Sequence, residues 1–171
     1  MGLKFTLIYV YLHLSAGRQD SNLTIMTLKL FKAAWFLSML AVLGNLLYVY
    51  ASLPEQVILI ENLTDPLSVG REQLFYVAMA VIAMANVIVY LFSKKLMPQE
   101  DFRTWLHGLV MTLNIFFIIG MSFISLYNSA EHYDFGRIGF IIYSSVGLIV
   151  LWAISWPIYL LGKKITSKQA V

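Results

Sequence analysis

The chain of 171 residues contains no cysteine, and only 12% of its residues are charged. Without cysteine, disulfide exchange, thiolate metal sites and covalent haem attachment are excluded. The membrane disulfide oxidases and vitamin K epoxide reductases, which work through cysteine pairs, are excluded with them. The charged fraction is about half of the roughly 25% found in globular proteins, whereas hydrophobic residues reach 60%. A soluble domain of this length could not bury so much apolar surface, so the sequence predicts a protein that resides in lipid.

Four apolar runs account for most of the chain, at approximately residues 30–52, 73–92, 105–127 and 138–161. Each run has 20 to 24 residues, which is the length of helix that crosses a bilayer core of about 30 Å. Apart from Lys32, they contain no Asp, Glu, Lys or Arg. We therefore predict an all-α membrane protein whose four transmembrane helices lie within residues 26–171.

The charges outside the runs are sorted by sign. Of the twelve Lys and Arg, all but Arg71 and Arg137 lie in the N-terminal region, the middle loop and the C-terminal tail. The other two loops hold six of the nine acids. Because basic residues stay on the cytoplasmic side, we predict an antiparallel bundle with both termini in the cytoplasm. The basic residues flank the runs and form no stripe, so we expect contact with the lipid bilayer and not with nucleic acid.

Residues 1–25 leave two alternatives open. Their apolar stretch and the small residues at 15–17 resemble a secretory signal, but cleavage would place Lys29 and Lys32 on the wrong side. The segment is therefore either an interfacial helix on the cytoplasmic face or an extension upstream of a start at Met26. If the extension is real, the residues that would cap a helix leading into the first span are Asp20, Ser21 and Asn22.

Polar side chains within the runs are few. Asn45, Asn86 and Asn114 place one amide in each of the first three helices, and Ser144 and Ser145 lie in the fourth. An amide in hydrocarbon needs partners, so we expect hydrogen bonds between helices, with a polar ligand site as the less favoured alternative. Counted from the ends of the runs, the three amides lie at different depths, with Asn114 in the middle, and we do not expect them to form one ring.

Small residues indicate where helices can approach closely. The candidates are Ala78 and Ala85 in the second helix and Gly139 and Gly147 in the fourth, where a spacing of eight puts both glycines on one face. Trp152 lies deep for a residue of the interfacial aromatic belt, which suggests that it faces a neighbouring helix.

The runs offer little for chemistry. Pumps and coupled transporters need an ionisable residue inside the membrane, and paired haem ligation needs facing histidines, of which the runs contain one, His107. We therefore expect no cofactor, no metal and no catalytic residue.

The first outer loop carries a family resemblance. Leu53-Pro54-Glu55-Gln56-Val57 resembles the Leu-Pro-(Asp/Glu)-x-(Val/Ile) segment that follows the first helix in bacterial SdpI-type immunity membrane proteins, and Gly70-Arg71-Glu72 is similar in position. The resemblance covers about 20 of the 171 residues. It implies a protein of the bacterial inner membrane that binds or senses something at this loop. The candidate binding residues are Pro54, Glu55, Glu61, Asp65 and Arg71.

Within the same loop, the run Val57–Ile60 is β-prone and is interpreted as a strand, an interfacial dip or a buried strut. Taken together, the sequence favours binding over catalysis. Our first hypothesis is an accessory or structural subunit of a larger membrane assembly, bound to other membrane subunits or to itself. The alternatives are a receptor-like or immunity protein that captures a peptide or lipid at the outer loop, and a transporter or enzyme with an unrecognised site.

Overall fold

The computed structural model describes the backbone of residues 2–60, 67–96, 99–129 and 135–169, and the side chains of residues 25–60, 67–94, 99–129 and 139–165. The protein is mostly helical. Four helices are long and apolar enough to cross a membrane, as predicted, over Ile25–Ser52, Arg71–Lys94, Glu100–Tyr127 and Gly139–Ile165. The complete elements are α1 Gly2–Ser52, β1 Gln56–Ile60, β2 Leu67–Gly70, α2 Arg71–Leu91, a π-helical turn Phe92–Leu96, α3 Glu100–Tyr127 and α4 Phe135–Gln169.

Helix α1 is continuous over 51 residues. The expected helix start at Asp20, Ser21 and Asn22 is wrong, because the backbone is already helical upstream and passes through these positions. The chain has no glycine or proline between Arg18 and Leu43, so no residue in this stretch favours a break.

The β-prone run after α1 is a strand. β1 pairs antiparallel with β2, with Val57 opposite Val69, and the register shifts between Ile58 and Ile60. Val57 is fully buried, so the hairpin is attached to the helices through its apolar side. Glu61 and Asp65, which were predicted as binding residues, lie outside the described residues.

The hydrophobic core lies between α1, α2, α3 and β1. Its buried members from α1 recur every three or four residues, which places them on one face of the helix. Leu53 follows α1 directly, and β1, α2 and α3 each add one residue. None of the described residues of α4 belongs to this core; α4 packs against α3. The buried members are Val42, Leu46, Val49, Leu53, Val57, Ile82 and Met121.

Contacts along the helices define two ends of the molecule. At one end, which we name the hairpin end, Ser52 of α1 lies beside Ser125 of α3, next to the β-hairpin. At the other, which we name the basic end, Trp35 of α1 contacts His107 of α3, and Arg103 Nε donates to Ser93 Oγ at 3.4 Å. Basic side chains gather at the second end: Lys29, Lys32, Lys94, Arg103 and Lys163.

Candidate functional site

A closed hydrogen-bond network joins the first three helices in their apolar region. Trp35 Nε1 donates to Asn86 Oδ1 (2.9 Å). Asn86 Nδ2 donates to Asn114 Oδ1 (3.0 Å) and to the carbonyl of Ile82 one turn back (2.8 Å). Asn114 Nδ2 returns a bond to Asn86 Oδ1 (3.3 Å) and donates to Ser38 Oγ (3.0 Å). Ser38 in turn donates to the carbonyl of Trp35 (2.8 Å).

Every polar hydrogen of this network has an acceptor within the chain. Asn114 is fully buried and Asn86 is 5% exposed, so water does not compete for their amides. Since an unsatisfied amide in hydrocarbon is costly, the arrangement is a stable contact between helices. It leaves no free donor for a ligand.

The sequence placed Asn86 nearer the basic side of the helices than Asn114, and the structure keeps that order while pairing the two amides. Because Arg103 bonds to Ser93, Asn86 and Asn114 lie seven and eleven residues from that contact. The remaining difference of about 6 Å along the helix axes is spanned by the two side chains.

Asn45 lies apart from the network. Its Nδ2 donates to the carbonyl of Ile118 (3.3 Å), and its Oδ1 accepts from Ser122 (3.1 Å). It therefore makes a second polar contact between α1 and α3, closer to the hairpin end. In α4, Ser145 is buried and donates to its own helix at Ile142, whereas Ser144 is exposed.

A close contact between two helices occurs at a glycine that sequence reasoning did not select. A Cβ at Gly108 of α3 would lie 2.6 Å from Cε2 of Trp152 on α4, so the indole occupies the space that any other residue would fill. A signal was present, because Thr104, Gly108 and Thr112 place small residues at every fourth position.

The indoles of Trp105 and Trp152 fix this contact. Trp105 Nε1 donates to the carbonyl of Trp152 (2.8 Å), and Trp152 Nε1 donates to the carbonyl of Trp105 (2.9 Å). The deep tryptophan thus faces a neighbouring helix. Each indole is held by a backbone group of the other helix, so both rings have a defined orientation.

The predicted small-residue positions pack less closely. Ala78 is half-buried against the core, and Ala85 is half-buried. A Cβ at Gly147 would meet no described atom within 4 Å, and at Gly139 it would meet only Tyr143 of the same helix at 3.9 Å. These glycines therefore make no close helix contact with the described part of the chain. The side of α4 that contacts α3 is the one that carries Trp152.

The hairpin is held by Asn128, just after α3. Its Oδ1 accepts from the amide of Ile58 (2.7 Å), and its Nδ2 donates to the carbonyl of Ile58 (3.0 Å) and to that of Ile124 (2.9 Å). The amide side chain therefore occupies the edge of β1 at Ile58, as a paired strand would.

Arg71 joins the hairpin to the start of α2. Its backbone N–H donates to Glu55 O (2.9 Å), and Nη1 donates to Leu53 O (3.0 Å). Its guanidinium lies 5.0 Å from the ring centre of Tyr50, and its Nε is buried with no acceptor among the described residues. Pro54 and Glu55 are exposed beside it.

At the basic end, an open groove of about 500 Å³ lies between α1, α3 and α4. Most of its wall is aromatic, and Asp101 contributes a carboxylate that accepts a hydrogen bond from Tyr159 Oη (2.9 Å). The groove is lined by Thr27, Phe31, Asp101, Thr104, Trp105, Trp152, Ser155, Trp156 and Tyr159.

Other ligand chemistry finds little support in the described residues. His107 is buried, uses Nδ1 in a hydrogen bond with the carbonyl of Arg103, and stacks edge-to-face with Trp35 (centroids 5.4 Å apart). Among the described residues there is no group of three His, Asp or Glu that could hold a metal ion.

No protein-family model matches the chain, and no curated protein or solved structure matches it.

Proposed function

We propose that the protein is a non-catalytic integral membrane protein that acts as an accessory or structural subunit of a larger membrane assembly. In this proposal the four helices form an antiparallel bundle in a bacterial inner membrane, with both termini in the cytoplasm. The observation that carries it is the closed network of Trp35, Ser38, Asn86 and Asn114, whose polar hydrogens are all used within the chain. Because these polar groups are already hydrogen-bonded between helices, they favour a structural role over a catalytic one.

The packing of helix α4 supports the proposal that the chain binds a partner. The helix contributes no described residue to the core, and a Cβ added at Gly147 would meet no described atom within 4 Å. A second helix could approach closely at such a glycine. The partner is another membrane subunit or a second copy of this chain.

The assembly is tested by purifying the chain from its native membrane in a mild detergent and measuring the mass of the complex. We expect a complex larger than a monomer, and we expect Gly147→Leu to dissociate it because the side chain blocks close approach. Gly44→Leu in α1 is the matched control, since a Cβ there also meets no described atom within 4 Å. A monomeric wild-type protein would overturn the proposal.

The orientation is tested by cysteine labelling, for which the cysteine-free chain gives no background. Single cysteines at Ser68 and Ser167 should react with an impermeant maleimide from opposite sides, with Ser68 reacting from outside. Reaction of both cysteines from one side would contradict the four-span topology.

A second candidate function is capture of a peptide or lipid at the hairpin end, as in the immunity proteins that the first loop resembles. The observation that favours it is a fixed hairpin beside the exposed Pro54 and Glu55, with a buried Arg71 Nε that has no acceptor among the residues that the structure describes. A cysteine at Ser68 should then react fast in the purified chain and slowly in native membranes. Equal rates would rule out a hairpin partner.

A further inference from the structure

The groove at the basic end combines aromatic walls with a carboxylate. Aromatic rings from α1, α3 and α4 line it together with the side chain of Asp101. An adjoining cavity of about 540 Å³ shares Asp101, Trp156 and Tyr159 with the groove and adds Lys163. The two spaces therefore present an aromatic part beside Asp101 next to a polar part, in which Lys163 lies with Glu100.

The aromatic walls are fixed before any ligand arrives. Trp105 and Trp152 are held by their reciprocal hydrogen bonds. Trp156 packs against Trp105, Phe102 and Tyr159 with centroid separations of 5.8, 5.0 and 5.5 Å. Rings held in this way lose little freedom when a ligand binds. Because the indole N–H groups of Trp105 and Trp152 already have acceptors, these two residues line the groove with aromatic carbon and no free donor.

The carboxylate of Asp101 is also oriented. Its Oδ2 accepts from Tyr159 Oη at 2.9 Å, and an ionised carboxylate has further acceptor positions. An interfacial aromatic belt alone would not need this carboxylate among its rings. An acid in the first turn of a helix is favoured by the helix dipole, but that preference does not explain aromatic walls on three helices. A negative charge among aromatic faces is the chemistry that recognises an organic ammonium ion.

We propose that this groove binds the headgroup of a zwitterionic phospholipid. The ammonium group lies among the indoles beside Asp101, and the phosphate lies toward Lys163 in the adjoining cavity. The position fits a lipid, since the groove opens at the helix ends where the basic residues gather and headgroups are expected. This inference is independent of the subunit proposal and stands or falls by its own test.

The test uses the full chain purified in a non-zwitterionic detergent and read out by tryptophan fluorescence, because three of the four tryptophans line the groove. Phosphocholine is the probe. Choline tests the ammonium alone, and 3,3-dimethylbutanol tests the same shape without charge. We expect saturable binding of phosphocholine, about tenfold weaker binding of choline, and weaker binding still of the neutral alcohol. Choline binding as tight as phosphocholine would overturn the lipid headgroup as ligand, and equal binding of the alcohol would overturn an ammonium site.

Variants assign the binding to the groove. Asp101→Asn keeps the shape and removes the charge, so the Kd of both probes that carry the quaternary ammonium, phosphocholine and choline, should rise about tenfold. Glu72→Gln is the matched control, an acid in the first turn of α2, and should leave the Kd unchanged. Lys163→Gln should weaken phosphocholine and not choline.

The aromatic wall is tested separately with Trp156. Trp156→Leu should weaken binding of phosphocholine and choline, which share the quaternary ammonium, and Trp156→Phe, which restores an aromatic face, should recover most of it. Thermal unfolding of each variant shows whether it is folded. If the Leu variant does not fold, the Phe variant still tests the proposal. An unchanged Kd in Asp101→Asn, or equal losses in the Leu and Phe variants, would overturn the proposal.

Discussion

The two sides of α3 are joined to their neighbours by different chemistry. On one side, α1 and α2 meet α3 through an amide network and a shared apolar core. On the other, α4 meets α3 through Trp105 and Trp152, whose indoles donate to each other's backbone carbonyls while the Trp152 ring packs against Gly108. The first contact depends on side-chain partners, and the second depends on an empty position in α3. The comparison shows that one helix can satisfy polar groups on one face and accept a large aromatic ring on another.

The largest effect is expected where shape decides the contact. Gly108→Ala places a methyl group where Trp152 already lies, so the indole must move and both Trp–carbonyl bonds are strained. We expect a loss of about 2 kcal/mol in the free energy of unfolding, measured by titrating detergent micelles with SDS. Gly120→Ala, on the same helix with no described atom within 4 Å of the new Cβ, should lose nothing. Equal losses would mean that the α3–α4 contact is looser than its geometry indicates.

The next largest effect on stability is expected in the amide network between α1, α2 and α3. In a double-mutant cycle of Asn86→Ala and Asn114→Ala, we expect a coupling energy of about 1 kcal/mol, because the two side chains bond directly and interhelical hydrogen bonds in membranes have this size. The same SDS titration measures it. A cycle of Asn45→Ala with Asn86→Ala is the control, and it should be additive since no bond joins that pair. Additivity in both cycles would show that the network is not what couples α2 to α3.

The smallest global effect is expected at the hairpin. Asn128→Ala removes both bonds to Ile58, and we expect a stability loss of less than about 1 kcal/mol because the site is solvent-exposed. The local effect is larger: hydrogen exchange at the Ile58 amide should accelerate. Ser129→Ala, which loses only a bond within its own helix turn at Leu126, should leave that exchange unchanged. If the Ile58 amide stays protected in Asn128→Ala, packing of Val57 alone positions the hairpin.

These contacts differ in how far the sequence predicts them. The four spanning helices follow from uncharged runs of the right length, and the position of Trp152 followed from its depth. The pairing of Asn86 with Asn114 did not follow, because relative depth depends on how the loop from α2 to α3 sets the helix ends, which is seen in the bond from Arg103 to Ser93.

Two contacts, that of Gly108 with Trp152 and that of Asn128 with β1, had a weak sequence signal or none. The Thr104, Gly108 and Thr112 spacing marked a close approach, but it did not say which helix would fill it. The hydrogen bonds between Asn128 and β1 join residues 70 positions apart in the sequence. No local pattern marks an amide at a helix end as the partner of a distant strand, and the groove at Asp101 likewise needs three helices in place before it exists.

The amide network also has a consequence for the order in which the protein assembles. During synthesis α1 and α2 enter the membrane before α3. At that stage Trp35 can already bond to Asn86, but one of the two Nδ2 hydrogens of Asn86 has only the position that Asn114 will later fill. The nascent pair of helices therefore carries an unpaired donor until residue 114 has been inserted. The amides are therefore fully paired only when all three helices are in place, whereas the contact of α4 with α3 uses none of the network residues.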